Sequence, residues 1–256
     1  MKIGIFDSGM GGLSVLHLAL RYLPNHQFIY YADEEHVPYG EKKQEDIIRY
    51  VDEIIQFMID HGVEAIVIAC NTATSAAIAL MRKKYHLPII GMEPAVKKAI
   101  DTYGDKRVLV IATPITVQGQ KMHNLVNKVD KNHLVNLVAL PELVRFAERL
   151  EFDSIHVKEY LKKELSHFSF DQYSSLVLGC THFNYFKDSL RAILPQHIHF
   201  VDGNEGTIKH LMEYITPSND NQTVEYYFSG KRVTQPQDIE RIQQYLKHLD
   251  KMIKIQ

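Results

Sequence analysis

The chain has 256 residues, of which 45% are hydrophobic, and a formal net charge of −2 at pH 7. That length suffices for one large or two ordinary α/β domains, and the near-neutral charge argues against a general nucleic-acid binder, whose domains carry a basic face. No apolar run approaches the ~20 residues of a membrane span. The 2 cysteines are too few for a disulfide framework. The start of the chain lacks a signal-peptide pattern, so we expect a cytoplasmic protein that binds neither nucleic acid nor membrane.

Strand and helix patterns alternate through the first third of the chain. Short apolar runs predict strands at 2–6, 27–32 and 88–91, and helical spacing of apolar residues predicts helices at 13–23 and 45–61. A glycine-rich turn, Asp7–Gly12, follows the first strand, and a loop with the turn signal Pro38-Tyr39-Gly40 follows the second. Strands that alternate with helices indicate a parallel sheet covered on both faces.

The stretch Ala65–Ser75, AIVIACNTATS, joins a predicted buried strand to a predicted helix. Its apolar run ends in Cys70, and Asn71 or Thr72 is predicted to cap the helix that follows. Cys70 therefore lies where the carboxyl end of a strand meets the amino end of a helix. Ligands bind at this position in open α/β sheets, and the helix dipole there favours anions, a thiolate included.

A second α/β series is predicted after Gly104. Its strands cover 108–112, 134–139 and 197–201, and its helices cover 115–128, 142–150 and 153–166. Between them, Leu176–Phe183, LVLGCTHF, again carries an apolar run to a cysteine, Cys180, with Thr181 and a helical stretch after it. The tail is predicted to add a helix at 204–214, a strand at 224–229 and a helix at 237–249.

These repeated patterns predict two α/β lobes, the first built from both ends of the chain. We expect residues 1–94 with 208–256 to form the lobe that carries Cys70, and residues 95–207 to form the lobe that carries Cys180. No long linker intervenes, so two crossovers should join the lobes tightly. The 2 cysteines of the chain are then expected to face each other across a cleft.

Two facing thiols suit a particular chemistry. A thiol has an unperturbed pKa of about 8.5 and can act as acid or base near neutral pH. Cys180 with His182 alone would also suit a nucleophile in acyl transfer, and buried cysteines are often structural. Two thiols in equivalent positions, however, favour proton removal from one face of a carbon and delivery to the other, which inverts a stereocentre without a cofactor. Cys180 and His182 are the one closely spaced Cys/His pair, so we expect no zinc or other metal site.

Other polar residues are predicted at the same sheet edge. The Asp7 carboxylate could accept hydrogen bonds from a substrate ammonium or assist a thiol, and Ser8 could hold a carboxylate. Thr113 and Thr116 follow the first strand of the second lobe, where they bind an anion or cap a helix. The turn DSGMGG lacks either glycine-rich nucleotide motif, so nucleotide binding is not supported.

Four stretches occur in order along the chain: IGIFDSGMGGLSVL, YYADEEHVPYGEK, VIACNTATS and LVLGCTHF. Together they resemble the glutamate racemase family, cofactor-independent enzymes of the aspartate/glutamate racemase superfamily. The resemblance implies interconversion of L- and D-glutamate, with D-glutamate feeding peptidoglycan synthesis in a bacterial cytoplasm. It also implies two flavodoxin-like lobes with the active site between them, no cofactor, and frequently a homodimer.

The resemblance also implies roles for individual residues. Cys70 would be the base toward D-glutamate and Cys180 the base toward L-glutamate, each acting as the acid in the other direction. Asp7 and His182 match auxiliary groups that tune the thiols, and Glu148 falls where the family has a glutamate. With the positions identified above, the expected substrate-binding set is Asp7, Ser8, Pro38, Tyr39, Gly40, Asn71, Thr72, Thr113, Thr116, Thr181 and His182.

The chain departs from the family pattern in its second half. Leu140 stands where the family usually has a cysteine, Arg145 where it has a proline, and Phe183–Phe186 where it has Tyr-Pro-Leu-Leu after the Cys-Thr-His motif. These differences leave open a racemase or isomerase for aspartate or another acidic amino acid. A non-catalytic ligand-binding paralogue is a further alternative, although such a protein would be expected to lose a thiol, and both are present.

Overall fold

The structure is a computed structural model that describes residues 1–92 and 94–255. Glu93, which adjoins the predicted lobe boundary, lies outside the described residues. The strands in the described ranges are β1 (Lys2–Asp7), β2 (Gln27–Ala32), β3 (Ala65–Ile68), β4 (Ile89–Gly91), β5 (Arg107–Ala112), β6 (Val135–Ala139), β7 (Tyr173–Leu178), β8 (His199–Asp202), β9 (Thr223–Phe228) and β10 (Lys231–Arg232).

Helices connect most of these strands. They are α1 (Leu13–Tyr22), α2 (Gln44–Asp60), α3 (Asn71–Lys84), α4 (Val96–Tyr103), α5 (Pro114–Gln118), α6 (Gln120–Val129), α7 (Glu142–Glu148), α8 (Ile155–Leu165), α9 (Lys187–Ile193), α10 (Asn204–Met212) and α11 (Pro236–Met252), with 3₁₀ helices at Tyr39–Glu41, Phe170–Gln172 and Thr181–Phe186. Among the described residues no helix is long and apolar enough to cross a bilayer.

The strands form two sheets. The first has the order β10-β9-β2-β1-β3-β4 and the second the order β6-β5-β7-β8. All pairings are parallel except that of β10 with β9. The predicted α/β class, with two mostly parallel sheets flanked by helices, is confirmed.

Strands from both ends of the chain meet in the first sheet, because β9 pairs with β2, with Thr223 opposite Gln27. The second sheet uses residues from the middle of the chain. The lobe boundaries themselves, 1–94 with 208–256 and 95–207, stay a prediction, and position 208 falls inside α10.

The sheet order brings the carboxyl ends of four central strands together. In the first sheet β1 and β3 are neighbours and lead to Asp7 and Cys70, while in the second β5 and β7 are neighbours and lead to Thr113 and Cys180. One buried apolar cluster extends between the sheets, since it contains both Ile5 of β1 and Leu109 of β5. Parallel strands therefore present polar side chains at one edge, above a common apolar base.

Several local predictions differ from the structure. The helix predicted at 115–128 is two helices, because Gly119 adopts an extended conformation between α5 and α6. Cys70 itself, not Asn71 or Thr72, caps α3, since its sulfur accepts a hydrogen bond from the N–H of Ala73 at 3.4 Å. After Cys180 the chain forms the 3₁₀ helix before α9 begins at Lys187, so the two cysteine segments are not identical.

Candidate active site

Cys70 lies buried at the start of α3. Its thiol donates to the hydroxyl oxygen of Ser8 at 3.7 Å, and its sulfur also accepts from Ala73. Burial raises the pKa of the Cys70 thiol above its ordinary value, and the negative charge of Asp7 raises it further. Cys70 is therefore held in its protonated form at neutral pH.

Cys180 lies in a chain of contacts that leads back to the first glycine-rich turn. Its sulfur is 3.7 Å from Nδ1 of His182, and Nε2 of His182 donates to Oε1 of Glu148 at 2.5 Å. The N–H of Met10 donates to the same Glu148 oxygen at 2.8 Å. Residues from α7, from the 3₁₀ helix after β7 and from the turn after β1 thus meet at one imidazole ring.

His182 is almost fully buried, at 1% exposure. Burial alone would lower its pKa, but the hydrogen bonds and negative charges of Cys180 and Glu148 outweigh it, so the pKa of His182 lies well above its ordinary value. Both ring nitrogens then carry protons. The N–H of Gly11 is also directed at Nε2, at 3.2 Å, so the turn after β1 closes over the edge of this ring.

An imidazolium attracts negative charge on the two atoms that it faces, the Cys180 sulfur and the Glu148 carboxylate. Negative charge on Asp7 and on Cys180, by contrast, raises the pKa of Cys70. The two thiols are close enough that negative charge on Cys180 raises the pKa of Cys70. The structure thus places one thiol in surroundings that favour the neutral form and the other beside a cation.

Asp7 lies at 0% exposure between the two thiol environments. It accepts from the N–H of Gly12 at 2.7 Å and from the hydroxyl of Thr181 at 3.3 Å. Burial raises the pKa of Asp7, and the positive charge of His182 opposes that shift. Asp7 therefore links the turn of the first sheet to the Cys-Thr-His segment of the second.

The glycines of DSGMGG make this close approach possible. A Cβ atom on Gly9 would lie 2.1 Å from Oε1 of Glu148, and one on Gly11 would lie 2.4 Å from Nδ1 of His182. Real side-chain carbons do not approach other atoms so closely. The glycine-rich turn is explained by its contact with the Glu148–His182 pair.

The loop after β2 carries Pro38, Tyr39 and Gly40. Tyr39 is buried, and its hydroxyl donates to Oδ2 of Asp33 at 2.5 Å. Asp33 also accepts from Nδ1 of His36 at 2.8 Å. A Cβ on Gly40 would lie 3.1 Å from Cβ of Thr113, so this loop touches the first strand–helix junction of the second sheet.

Three buried threonines form a chain of hydroxyls between the two halves. Oγ1 of Thr72 lies 2.9 Å from Oγ1 of Thr113, which in turn donates to Oγ1 of Thr116 at 3.0 Å. Asn71 is buried beside them, and its Oδ1 lacks a hydrogen-bond partner within the described residues. A buried amide oxygen without a partner carries a free-energy cost, which a donor group on a ligand would remove.

The structure thus brings the predicted site residues to one interlobe region. Cys70, Asp7, Ser8 and Tyr39 come from the first sheet's edge, and Cys180, His182, Glu148 and the threonines 113, 116 and 181 come from the second. Within residues 1–92 and 94–255, no group of three or more His, Cys, Asp or Glu side chains could hold a metal ion.

Asp33 is not among the predicted site residues, although it lies in the same loop as Pro38, Tyr39 and Gly40. Its buried carboxylate fixes Tyr39, so it shapes the predicted binding surface. The available signal was its position directly after β2, at the same sheet edge as Asp7.

The chain is similar to known proteins over nearly its full length. The Asp/Glu/hydantoin racemase family matches residues 13–211. The glutamate racemase of Campylobacter curvus (strain 525.92) is 53% identical over 265 aligned residues, which cover 100% of both chains. The crystal structure of glutamate racemase from Campylobacter jejuni subsp. jejuni has a TM-score of 0.81 and 28% identity, covering 96% of this chain and 98% of that one.

A further solved structure, Escherichia coli glutamate racemase in complex with L-glutamate and the activator UDP-MurNAc-ala, has a TM-score of 0.81 and 26% identity, with 94% of each chain covered. The matched region contains the glycine-rich turn's helix, both cysteines and Glu148. On sequence and on structure alike, the chain belongs to the Asp/Glu/hydantoin racemase family.

Proposed function

We propose that this protein interconverts L- and D-glutamate without a cofactor, by moving the α-proton between Cys70 and Cys180. The observation that carries the proposal is the pair of buried thiols, each at the end of a central strand and each with its own partners. Ser8 and Asp7 surround one thiol, and the His182–Glu148 pair surrounds the other.

In the direction from L- to D-glutamate, Cys180 acts as the base. Its thiolate, 3.7 Å from Nδ1 of His182, takes the α-proton and forms an S–H bond as the C–H bond breaks. Cys70, held as a thiol by burial, then gives its proton to the opposite face of the carbon. The site finishes with the proton on Cys180 and the charge on Cys70, which is the form that starts the reverse reaction. Each positioned acid or base is typically worth ~10²–10⁴ in rate.

The remaining polar groups suit an amino dicarboxylic acid. The site residues supply neutral donors: the hydroxyls of Ser8 and of the threonines 72, 113, 116 and 181, and the amide of Asn71. Such donors bind carboxylates while leaving the substrate ammonium charge to acidify the α-carbon, and Asp7 or the unpaired oxygen of Asn71 can accept from that ammonium. Their burial excludes water and strengthens each contact.

Glutamate is the substrate best supported among acidic amino acids. Relatives of 42–53% identity are glutamate racemases, and a related solved structure holds L-glutamate. We further propose that the D-glutamate made here feeds peptidoglycan synthesis, that the protein acts in the cytoplasm, and that it forms a homodimer. Sedimentation equilibrium tests the last point, with a mass twice that of the monomer expected.

Cysteine substitution tests the proposal. Cys70→Ser and Cys180→Ser are each expected to lower turnover of L-glutamate by at least about 10²-fold, with an unchanged far-ultraviolet circular dichroism spectrum. Ser75→Ala, on the helix that Cys70 caps, is the control and should keep wild-type turnover. A serine variant with normal turnover, or a wild-type protein that binds glutamate without turnover, would overturn the proposal. Turnover of aspartate without turnover of glutamate would mean that aspartate is the substrate.

A further inference from the structure

Arg145 joins two parts of the molecule at the edge of the cleft. It lies on α7, which follows β6, an edge strand of the second sheet. Its Nη1 donates to Oε1 of Glu142 on the same helix at 2.8 Å, and its Nη2 donates to Oε1 of Glu41 at 2.5 Å. Glu41 belongs to the loop that follows β2 of the first sheet, 104 residues away in sequence. One guanidinium therefore connects the two halves.

Glu41 is the last residue of the 3₁₀ helix that presents Tyr39 and Gly40 to the cleft. Its N–H donates to the carbonyl of Pro38 at 3.3 Å, which closes the turn around those two residues. Anchoring Glu41 consequently fixes the end of the loop that is proposed to bind substrate. The other end is fixed within the first half, by the hydrogen bonds of Asp33 to Tyr39 and His36.

The Glu41–Arg145 pair lies at the rim of the cleft and not in the core. The side chains of Arg145 and Glu41 are 43% and 41% exposed, whereas Tyr39 is at 1%. Separating the two charged groups would therefore expose no apolar core. A rim contact of this kind can form and break as the two halves approach and part.

We propose that Arg145 is a positioning residue that holds the substrate loop, through Glu41, against the second half of the molecule when the cleft is closed. The inference rests on the proposed function, and it adds a specific contact that controls closure. The family pattern usually has a proline at this position, and a proline has no side chain able to bind Glu41.

The pair stabilises the closed cleft, so its loss favours the open one. Glu41→Gln and Arg145→Gln are each expected to raise KM for both glutamate enantiomers by about two- to fivefold, the range typical of an exposed ion pair. kcat should not fall, because neither residue touches the thiols. The Glu41→Gln/Arg145→Gln double variant should show the same KM as either single variant, since the second change removes nothing further.

Two control variants separate this role from a general effect on α7. Glu142→Gln removes the partner of Arg145 on its own helix, and Arg149→Gln removes an exposed charge one turn later that pairs with Glu151. Both should leave KM unchanged. If Glu142→Gln raised KM as much as Glu41→Gln, the effect would be one of helix stability, and the proposal would be wrong.

Hydrogen–deuterium exchange supplies a readout that does not need activity. In the substrate-free protein, a peptide covering residues 38–44 should exchange faster in Glu41→Gln and Arg145→Gln than in wild type or in Glu142→Gln. Equal exchange in all four proteins would contradict the proposal, as would KM effects that multiply in the double variant. If the wild-type protein did not racemise glutamate, only the proposed function would be refuted. The exchange comparison would still test whether the Glu41–Arg145 pair holds the loop.

Discussion

The two cysteines carry the same functional group but differ in the charges around them. Burial and Asp7 act together on Cys70 to raise its pKa, whereas Cys180 faces the ring of His182 at 3.7 Å. This difference distinguishes the two thiols, since the surroundings of Cys70 favour its protonated form, whereas Cys180 is joined through His182 to Glu148.

The contact between Glu148 and His182 gives a prediction of pH dependence. Glu148 helps to raise the pKa of His182, so Glu148→Gln lowers that pKa and His182 loses its proton at a lower pH. The alkaline limb of kcat/KM for L-glutamate should move to lower pH. Neutral-pH activity should fall about tenfold, less than the ~10²–10⁴ expected for loss of a thiol.

The control is Glu151→Gln, which removes a carboxylate that contacts Arg149 and Ser154 instead of His182. Glu151→Gln should leave the pH dependence of kcat/KM for L-glutamate unchanged. A profile unchanged in Glu148→Gln as well would mean that the carboxylate does not set the protonation state of His182.

Most site residues could be proposed from sequence because they follow strand ends or belong to short motifs. Cys70, Cys180 and Asp7 are examples. The facing of the two thiols was predicted, but the hydrogen bonds that fix the site were not, because they depend on the approach of segments far apart in the chain. The bond from Met10 to Glu148 spans 138 residues, and no local pattern encodes it.

At the scale of elements, the glycine-rich turn between β1 and α1 is a contact surface. A Cβ atom on Gly11 would lie 2.4 Å from Nδ1 of His182 and 2.5 Å from Oγ1 of Thr181. Both atoms belong to the segment that positions Cys180. The absence of a side chain at Gly11 therefore lets the segment with Thr181 and His182 pack against the turn.

Gly11→Ala is expected to lower the free energy of unfolding by ~1–3 kcal/mol, as overpacking of a well-packed interior does. Turnover should fall as well, because His182 must shift away from Glu148. Chemical denaturation and a racemisation assay measure the two effects.

Gly206→Ala is the matched control. Gly206 lies inside α10, a Cβ there would meet nothing within 4 Å, and alanine should raise the free energy of unfolding by up to ~1 kcal/mol. If Gly11→Ala behaved like Gly206→Ala, the turn would not be packed against His182 in solution.

Element boundaries were predicted well where apolar periodicity is strong, as for β2 and α2. They were predicted poorly where one residue interrupts a pattern. Gly119 divides 115–128 into two helices, and the hairpin strand β10 has only two residues, Lys231 and Arg232, both exposed. Such short or interrupted elements depend on neighbours that the local sequence does not specify.

At the scale of the whole molecule, the last helix ties the end of the chain to its middle. α11 buries Ile242, Tyr245, Leu249 and Met252. The Tyr245 hydroxyl donates to the carbonyl of Ala147 on α7 at 2.8 Å, and the ring packs against Phe152 and Tyr185. α11 therefore supports the helix that carries Glu148.

Tyr245→Phe is expected to lower the free energy of unfolding by about 0.5–1.5 kcal/mol, the usual contribution of a buried hydrogen bond. Tyr214→Phe, at a half-exposed tyrosine, should change it by less than about 0.5 kcal/mol. Urea denaturation compares the two. Equal effects would mean that the Tyr245–Ala147 bond does not contribute to stability.

The α/β class and the two parallel sheets followed from the alternation of strand and helix patterns. The order of strands in the first sheet did not, because it requires β9 to return across more than 190 residues and pair with β2. Long-range pairing of this kind is set by the global core and not by local pattern.

The transfer of a proton between two thiols is tested most directly by proton NMR and circular dichroism of L-glutamate with the wild-type protein in deuterated water. The two-thiol mechanism predicts that deuterium enters the α-position of the D-glutamate formed, while the remaining L-glutamate keeps its proton early in the reaction, as optical activity decays. Rapid deuteration of L-glutamate without loss of optical activity would show a single working base and contradict the mechanism.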